Sequence, residues 1–589
     1  MQFLIYLVNA LLIPLVTATR QTNYNYTNPI LPGWHSDPSC AFIAAWDETF
    51  FCTTSTFLAF PGIPIYASKD LIHWKLVSHA LSRPSQAPFL LNATGQSEGI
   101  YASTLRFHQG TLYLTTALIS STAPNGSEFL VFTTTDPYAD AAWSEPITIT
   151  TTLTGYDPDL FWDAADNDRL YLTIAGYNHS ATPLIFQSAV ALPDWTATSW
   201  RYLWNGTENV WPEGPHLYRK DGWYYLLIAE GGTGTSHQVS IARSKRVTGP
   251  YEPCPANPIL TNKNTPEYFQ TVGHADLFQD PTGNWWGVAL ATRSGPAWEI
   301  YPMGRETVLY PAEWEEGAWP RLQPVRGTMR GPLPPSSRAV QGQGPFVDAS
   351  ERLSFAPGSP WPPTLQTWRP QPPAPDRSLF TISPPDHPHT LRLTPSWANL
   401  TGNASFTPGK DALSFLGRIQ TSTLFEYAVT LHDFTPRIEA EEAGVSIFLT
   451  QAQHVDLGVV LLQDAHGQLA PHFRLRVEAS GRPDLVAPDA VVSAVPVAWW
   501  GRGIVLRVRA PDDAGYVLSA ALVGSPGSEI VLGRASAGVL SGGSGPFTGT
   551  LLGVYATANG GAGETPSYWS DWTYVPVAQE VDAGVFVDA

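Results

Sequence analysis

The sequence predicts an all-β protein in which a five-bladed β-propeller is followed by a β-sandwich domain. Three observations support this: the composition, a fivefold recurrence of aromatic strands in the first half, and a second run of alternating strands. Aromatic residues make up 12% of the 589 residues and charged residues only 14%, and there are 49 glycines and 54 prolines. This balance is typical of β proteins rich in turns rather than of helical or disordered chains.

Five strands rich in aromatic or apolar residues recur at nearly equal spacing in the first half of the chain. They begin at Phe50, Leu112, Leu170, Trp223 and Trp285. Most of them follow a turn rich in Asp, Asn or Gly, and the intervals are 62, 58, 53 and 62 residues. Repeats of this length with several short strands are typical of propeller blades. An ordinary β-sandwich with regularly spaced hairpins is the alternative, and the near-equal periods favour the propeller.

The strand before each aromatic strand is predicted to be the innermost strand of its blade. Inner strands of a propeller run side by side along one axis, so their matching positions meet at one end of the channel. At these positions, aligned by repeat phase, the sequence has Asp37, Tyr101, Asp157, Glu213 and His274. The phase therefore predicts one pocket that holds three carboxylates, an aromatic ring and a histidine.

Composition divides the chain into four segments. Residues 3–18 are an apolar run that ends in small residues and is shorter than the ~20 residues that span a bilayer. We therefore expect residues 1–18 to be a removed signal peptide rather than a membrane anchor. Residues 19–325 contain the repeats, 326–345 are rich in Pro, Gly and Ser and predict a linker, and 346–589 alternate like the strands of a sandwich. The sandwich segment contains no recognisable catalytic motif.

The net charge indicates which classes of partner are disfavoured, and the sequons indicate the compartment in which the protein is found. A formal net charge of −18 disfavours nucleic acid and anionic membranes, because like charges repel, and it suits a neutral substrate. Asn-x-Ser/Thr sequons fit a secretory route, so we expect a secreted, extracellular glycoprotein. The sequons begin at Asn25, Asn92, Asn125, Asn178, Asn205, Asn399 and Asn403.

Three cysteines are too few for a disulfide framework or a cysteine-rich zinc site. Cys40 and Cys52 flank one predicted hairpin and could pair across it. Cys254 would then remain as a free, buried thiol.

Three acids in one pocket permit a specific chemistry. Two carboxyl groups that face each other are the minimum for hydrolysing a glycosidic bond, one as proton donor and the other as nucleophile or base. The donor must stay protonated, which requires burial or a nearby negative charge, and a third carboxylate supplies that charge. A single acid in a strand is more often solvated or paired with arginine. A carbohydrate-binding propeller without catalysis would explain the aromatic residues but not three acids in phase.

Seven motifs together resemble glycoside hydrolase family 43. They are N-P-I-L-P-G-W-H-S-D-P-S-C at 28–40, T-S-T-F-L-A-F-P-G-I-P-I at 54–65, Y-D-P-D-L-F-W-D at 156–163, W-P-E-G-P-H-L-Y at 211–218, A-E-G-G-T at 229–233, V-G-H-A-D-L-F at 272–278 and M-G-R-E-T at 303–307. The tail also resembles the β-sandwich appended to many of that family's β-xylosidases and α-L-arabinofuranosidases. The resemblance implies a five-bladed propeller and an inverting, single-displacement hydrolysis.

The resemblance assigns a role to each acid. Asp37 matches the general base that activates water, and Glu213 matches the general acid. Asp157 matches the acid that raises the pKa of the proton donor and orients it. Asp159 is then a structural polar residue. Glu230 is a rival for the acid role, but it lies deep in the aromatic second strand.

The resemblance also implies a pocket wall and a metal contact. Phe57, Tyr101 and Thr233 match wall positions, where an aromatic face can stack on a sugar. Arg305 matches an arginine that reaches into the sugar pocket, the alternative being a surface ion pair. His274 matches a histidine beneath the catalytic centre that often contacts calcium, the alternative being a satisfied core residue. The chemistry requires no cofactor, and calcium is a candidate structural ion only.

Two departures from the xylosidase pattern bear on the substrate. The chain has His-Ser-Asp-Pro at 35–38 instead of His-Pro-Asp-Pro, and Tyr-Ala-Ser at 101–103 instead of Trp-Ala-Pro. Both changes lie beside the predicted sugar pocket. We therefore expect an α-L-arabinofuranosidase that removes arabinose from arabinoxylan, with an exo-1,4-β-xylosidase acting on xylo-oligosaccharides as the alternative.

Overall fold

The computed structural model describes residues 23–177, 182–207, 210–372 and 378–589. The predicted signal peptide and the sequon at Asn178 lie outside these ranges. Regular structure in the described ranges is almost entirely β, which confirms the predicted class. The helices in these ranges are short: α-helix Pro88–Leu91 and 3₁₀-helices Pro84–Gln86, Pro124–Gly126, Asp140–Ala142, Val497–Trp499, Pro526–Ser528 and Ala537–Leu540. Among the described residues, no helix has the length and apolar character needed to cross a membrane.

The first half of the described chain forms five antiparallel four-stranded sheets, the blades of a propeller. Blade 1 comprises Ser36–Ile43, Thr49–Ser55, Gly62–Ser68 and Lys75–Leu81, and blade 2 comprises Gly99–His108, Thr111–Ile119, Ser127–Thr134 and Ile147–Thr148. Blade 3 comprises Thr154–Asp163, Arg169–Tyr177, Leu184–Ala189 and Arg201–Trp204; blade 4, Glu213–Lys220, Trp223–Glu230, Gln238–Ser244 and Glu252–Pro253; and blade 5, Phe269–Gln279, Trp285–Arg293, Glu306–Glu313 and Arg321–Leu322. Each predicted aromatic strand is the second strand of its blade, so the fivefold repeat is confirmed.

Two short pairs lie outside the blades. Thr150–Thr151 pairs in parallel with Thr196–Ala197, next to blades 2 and 3. Tyr24–Thr27 pairs antiparallel with Thr328–Gly331, so the start of the described chain meets the end of the propeller. The segment predicted as a linker thus contributes one strand to the propeller side.

The ring of blades is closed by a buried asparagine. The Asn28 side chain donates hydrogen bonds to the carbonyl oxygens of Leu309 and Arg326, both at 3.0 Å, and accepts one from the Leu309 amide at 2.8 Å. Asn28 is 1% exposed. Because all its polar atoms are paired inside the protein, it fixes the N-terminal segment beside blade 5.

The second half of the described chain forms a two-sheet sandwich, as predicted. One sheet has nine strands: Glu351–Leu353, Phe380–Ile382, Leu391–Leu393, Leu424–Asp433, Ile504–Ala510, Gly515–Leu522, Ile530–Ser536, Ser567–Asp582 and Val585–Asp588. The other has six: Phe415–Ile419, Glu442–Thr450, Gln453–Gln463, Leu469–Glu478, Val491–Ala494 and Leu551–Thr557. Trp569, Trp572 and Tyr574 of the first sheet share one buried cluster with Val445 and Leu457 of the second.

The two domains meet main chain against main chain. A Cβ atom at Gly304, which has a φ of 67°, would lie 2.2 Å from the carbonyl oxygen of Thr548, so only glycine fits there. The Thr550 amide donates to the carbonyl oxygen of Pro302 at 2.9 Å. The sandwich therefore braces the loop that leads into Arg305.

A disulfide joins the first two strands of blade 1. Cys40 and Cys52 stand directly opposite each other in the strand pair and are bonded. Cys254 is a buried free thiol.

Candidate active site

One cavity of about 180 Å³ collects every residue that the sequence predicted for the site. It lies where the inner strands of the blades begin. Its lining residues are Asp37, Phe57, Tyr101, Tyr156, Asp157, Tyr177, Trp211, Glu213, Thr233, His274, Arg305 and Phe547. The predicted pocket of three carboxylates, an aromatic ring and a histidine therefore exists.

The same backbone distortion interrupts the inner strand of every blade. The pairing register shifts between Ser36 and Ser39, Tyr101 and Thr104, Tyr156 and Asp159, Glu213 and His216, and Gly273 and Asp276. Within each shift one residue has a positive φ. These residues are Asp37 at 52°, Ala102 at 39°, Asp157 at 54°, Gly214 at 55° and His274 at 48°. Such bulges re-aim side chains, and here they turn the start of each strand towards the axis.

The bulges correct one detail of the predicted alignment. Asp37, Asp157 and His274 occupy the positive-φ position, whereas Tyr101 and Glu213 each lie one residue before it. The expectation that all these residues occupy matching positions was therefore wrong. In blade 4 the positive-φ residue is Gly214, where a Cβ atom would lie 3.1 Å from the His274 ring. A side chain at that position would be strained by the positive φ and would crowd the His274 ring, and the acid of blade 4 stands one residue earlier.

Asp37 lies in surroundings that favour its ionised form. The hydroxyls of Ser36 and Ser55 donate to its Oδ2 at 2.7 and 2.6 Å. His274 Nδ1 lies 3.4 Å and Arg305 Nη1 3.8 Å from its Oδ1. Burial opposes ionisation, but the His274 and Arg305 side chains and the two hydroxyls outweigh it and hold the pKa of Asp37 below its ordinary value. Asp37 is thus ready to accept a proton.

Glu213 has the opposite preference. It is 6% exposed, and burial, reinforced by the charge of Asp37, raises its pKa to about 7. Arg305 and a hydrogen bond from the Tyr156 hydroxyl at 3.4 Å lower the pKa of Glu213, but by less than burial raises it. Glu213 therefore keeps its proton up to about neutral pH, in the same cavity as an ionised Asp37.

Asp157 holds the backbone beside Glu213. Its Oδ2 accepts a hydrogen bond from the Gly214 amide at 2.8 Å. Burial and the neighbouring Glu213 raise the pKa of Asp157 well above its ordinary value. The resemblance implied that Asp157 raises the pKa of the donor, and the Asp157 and Glu213 carboxyls are close enough to influence each other's pKa. The contact of Asp157 with Gly214 also fixes the orientation of the donor's backbone.

The two other acids considered in the sequence have structural surroundings. Asp159 Oδ2 accepts from the Leu217 amide at 2.9 Å, and its Oδ1 lies 2.9 Å from Arg106. Glu230 is fully buried and accepts hydrogen bonds from Thr207 and Ser240. Neither acid lines the cavity.

The surroundings of His274 do not fit a bound calcium ion. Burial lowers the pKa of His274 to about 4, so the ring is neutral near neutral pH and becomes charged only at acid pH. Calcium prefers six to eight oxygen ligands. Two carboxylates influence the pKa of His274, and both already have partners. Asp37 accepts hydrogen bonds from two serines, and Asp276 forms an ion pair with Arg106, so neither is free to bind calcium. Across the described ranges, no group of three or more His, Cys, Asp or Glu side chains is placed to hold a metal.

The sandwich contributes one wall of the cavity. The Phe547 ring stacks on Phe57 with centroids 5.9 Å apart, and its edge faces Tyr101 at 6.5 Å. The guanidinium carbon of Arg305 lies 4.4 Å from the centre of the Phe547 ring. No sequence motif marks Phe547, because a single aromatic residue in a loop forms no pattern.

Three further cavity residues were not predicted. Tyr156 and Trp211 lie next to motif acids, so that proximity could have identified them, whereas Tyr177 ends the second strand of blade 3. Trp211 is 38% exposed and has a φ of 53°. Its ring therefore lies at the rim of the cavity, where part of a substrate outside the cavity can contact it.

Fold and site together define a propeller glycosidase. The cavity pairs an ionised carboxylate with a protonated one, which is the acid and base pair that glycosidic hydrolysis needs. An arginine and a wall of aromatic rings surround that pair.

Comparisons with known proteins identify the family. The family model described as Glycosyl hydrolases family 43 matches residues 26–320, and that of the Beta xylosidase C-terminal Concanavalin A-like domain matches residues 374–575. This chain belongs to glycosyl hydrolases family 43, as the motifs indicated.

Similar proteins cover nearly the whole chain. A non-reducing end alpha-L-arabinofuranosidase of Bacteroides ovatus is 32% identical over 557 residues, covering 93% of this chain and 94% of that protein. A xylosidase/arabinosidase of Butyrivibrio fibrisolvens is 31% identical over 573 residues, covering 94% and 99%. The crystal structure of a xylan beta-1,4-xylosidase from Bacillus halodurans C-125 has a TM-score of 0.79 at 27% identity, covering 93% and 99%.

Replacing Phe547 by alanine should lower kcat/KM for an aryl glycoside by about tenfold or more, because the sugar loses a stacking face and water enters the cavity. Steady-state kinetics measure this. Phe586→Ala is the matched control, since Phe586 belongs to the same domain but is 40% exposed and outside the cavity. Equal kinetics for the two variants would show that the sandwich does not form part of the site.

Proposed function

We propose that this protein removes terminal α-L-arabinofuranosyl residues from arabinoxylan by a single displacement with inversion. Asp37 is the general base and Glu213 the general acid. The observation that carries this proposal is the opposite pKa shift of these two acids within one cavity. Environments that separate the pKa values of two acids in this way distinguish a base from an acid.

The proposed reaction uses one water and one proton relay. Ionised Asp37 removes a proton from the water as the water oxygen attacks the anomeric carbon. Glu213 gives its proton to the leaving oxygen as the glycosidic bond breaks. Asp157 keeps Glu213 oriented through the Gly214 amide. After release of the sugar, the proton taken up by Asp37 returns to solvent and Glu213 is protonated again.

The dimensions of the cavity support action on a single terminal sugar. Its volume of about 180 Å³ is smaller than the ~300–1,000 Å³ of pockets for drug-sized ligands. Phe547 of the sandwich forms one wall of this cavity and restricts its width on that side. The relative from Bacteroides ovatus is named as acting at the non-reducing end, which agrees with this proposal.

The choice of arabinose over xylose rests on the cavity's departures from the xylosidase pattern and on that same relative. Ser36, which replaces a proline of the pattern, donates a hydrogen bond to Asp37 and thereby alters the base. An exo-1,4-β-xylosidase acting on xylo-oligosaccharides is the second candidate. It is favoured by the relative named xylosidase/arabinosidase and by the xylosidase from Bacillus halodurans.

We also propose that the protein is secreted. The apolar run at residues 3–18 supports this, as do the sequons. The disulfide between Cys40 and Cys52 adds support, because such bonds persist mainly in oxidising compartments.

The pH profile should reflect both acids. Asp37 must be ionised, so kcat/KM should rise as pH increases through its lowered pKa, below the ordinary 3.8. Glu213 must be protonated, so kcat/KM should fall as pH increases through about 7. Steady-state kinetics between about pH 3 and pH 9 measure both limbs.

Glu213→Gln should lower kcat on oligosaccharides by about 10²–10⁴-fold and abolish the alkaline limb. The loss should be smaller on 4-nitrophenyl glycosides, whose leaving group needs little protonation. Glu230→Gln is the control, because Glu230 is a buried acid of the same blade outside the cavity, and it should keep the limb near pH 7. An alkaline limb that persists in the Glu213 variant but disappears in the Glu230 variant would reverse the assignment.

Proton NMR during the first minutes of hydrolysis should show the inverted anomer of the released sugar, before mutarotation. Inversion is expected because Asp37 activates water instead of attacking the sugar itself. Initial release of the retained anomer would contradict the single displacement.

Incubation with wheat arabinoxylan should release free arabinose, with xylose release from xylo-oligosaccharides at a lower kcat/KM. Chromatography of the products measures both activities. A higher kcat/KM on xylobiose than on the arabinosylated substrates would favour the β-xylosidase alternative.

A further inference from the structure

A charged cluster lies on the propeller axis, one layer below the catalytic residues. Arg106 of blade 2 places Nη2 2.9 Å from Asp159 Oδ1 of blade 3 and Nη1 3.1 Å from Asp276 Oδ2 of blade 5. Both carboxylates are fully buried, and the Arg106 side chain is 19% exposed. Asp159 and Asp276 stand two residues after Asp157 and His274 on the same inner strands. The cluster therefore supports two strands that line the cavity.

The remaining blades also reach this cluster. The Ser39 hydroxyl of blade 1 donates to Asp276 Oδ2 at 2.6 Å, and the Tyr218 hydroxyl of blade 4 donates to Asp276 Oδ1 at 2.7 Å. His216 Nδ1 of blade 4 lies 3.0 Å from Arg106 Nη2. A single guanidinium is thus the positive centre of a network that includes a side chain from every blade.

Two buried carboxylates on the axis require a positive charge, because an uncompensated buried charge is costly. In a family 43 protein a calcium ion beneath the catalytic centre would provide it. In this chain, burial opposes the charge of Arg106, but Asp159 and Asp276 outweigh it and keep its pKa above the ordinary value. The charge that calcium would bring is therefore already present as a side chain.

We propose that Arg106 is a positioning residue that replaces the axial calcium ion, so that this enzyme needs no metal. Its guanidinium holds Asp159 and Asp276, and through them the strand segments that carry Asp157 and His274. Two carboxylates and an imidazole surround the Arg106 guanidinium, which is the arrangement expected of a cation site whose ion has been replaced by a side chain. Within the described chain, His216 Nε2 is buried without a hydrogen bond and Asp159 Oδ1 is ion-paired with Arg106, so removal of the arginine leaves both atoms available to a metal.

The wild-type protein provides the first test. Elemental analysis of the purified enzyme should find no stoichiometric calcium. Dialysis against a chelator, and later addition of millimolar calcium, should leave kcat/KM and the melting temperature unchanged. One equivalent of tightly bound calcium, whose removal lowers activity by about tenfold or more, would overturn the proposal.

Arg106→Ala provides the second test, because it empties the site while leaving two carboxylates and an imidazole around it. Without metal, kcat/KM should fall by at least about tenfold and the melting temperature should drop. Millimolar calcium should restore most of both, and calorimetry should show one binding site, at the weak end of the range for calcium proteins. A loss that calcium leaves unchanged would overturn the proposal.

Two matched variants separate charge from packing. Arg106→Met fills the same space without charge, so it should be impaired and should not respond to calcium. Arg106→Lys keeps the charge and should stay within about tenfold of the wild type. Equal impairment of the lysine and methionine variants would contradict the role of the charge, even if the alanine variant fails to fold. Metal content and melting temperature do not depend on which sugar the enzyme releases, so failure here is distinct from failure of the proposed function.

Discussion

One backbone distortion, repeated in all five inner strands, is the constraint on which the site depends. A regular strand would send alternate side chains to opposite faces, and no two adjacent residues would serve the same cavity. The bulges break that alternation, so Glu213 and Asp157 reach one cavity from different strand positions. Positive φ at non-glycine residues such as Asp37 and His274 costs about 1–3 kcal/mol each. Burial of the aromatic second strand of each blade offsets that cost.

The charges in the cavity depend on one another. Burial favours the protonated form of all three acids, but His274, Arg305 and two serine hydroxyls keep Asp37 ionised. Burial is the main cause that raises the pKa of Glu213, the charge of Asp37 adds to it, and Arg305 opposes it. A change that neutralised Asp37 would therefore remove one of the contributions that keep Glu213 protonated. Asp157 fixes the Gly214 amide beside Glu213, and the carboxyls of Asp157 and Glu213 influence each other's pKa.

The sequence predicted the features that depend on local patterns of residues. It did not predict the features that depend on contacts between distant parts of the chain. Buried aromatic strands at regular spacing predict five blades because each repeat must cover a hydrophobic face. Motif acids such as Asp37 and Glu213 predict the cavity. Repeat phase could not predict the one-residue offset of Tyr101 and Glu213, since that offset depends on where each bulge places its positive-φ residue. Phe547 reaches the cavity only because two domains dock, and no local pattern marks it.

That docking makes the sandwich part of the site. Gly304 lets the propeller backbone approach Thr548 so closely that the next residue, Arg305, and the nearby Phe547 are fixed relative to each other. Arg305 acts on the pKa of Asp37, and Phe547 limits the space for the sugar. One interface therefore influences both the base and the size of the substrate. It follows that substrate preference can change through the sandwich loop at 545–550 while the carboxylates stay as they are.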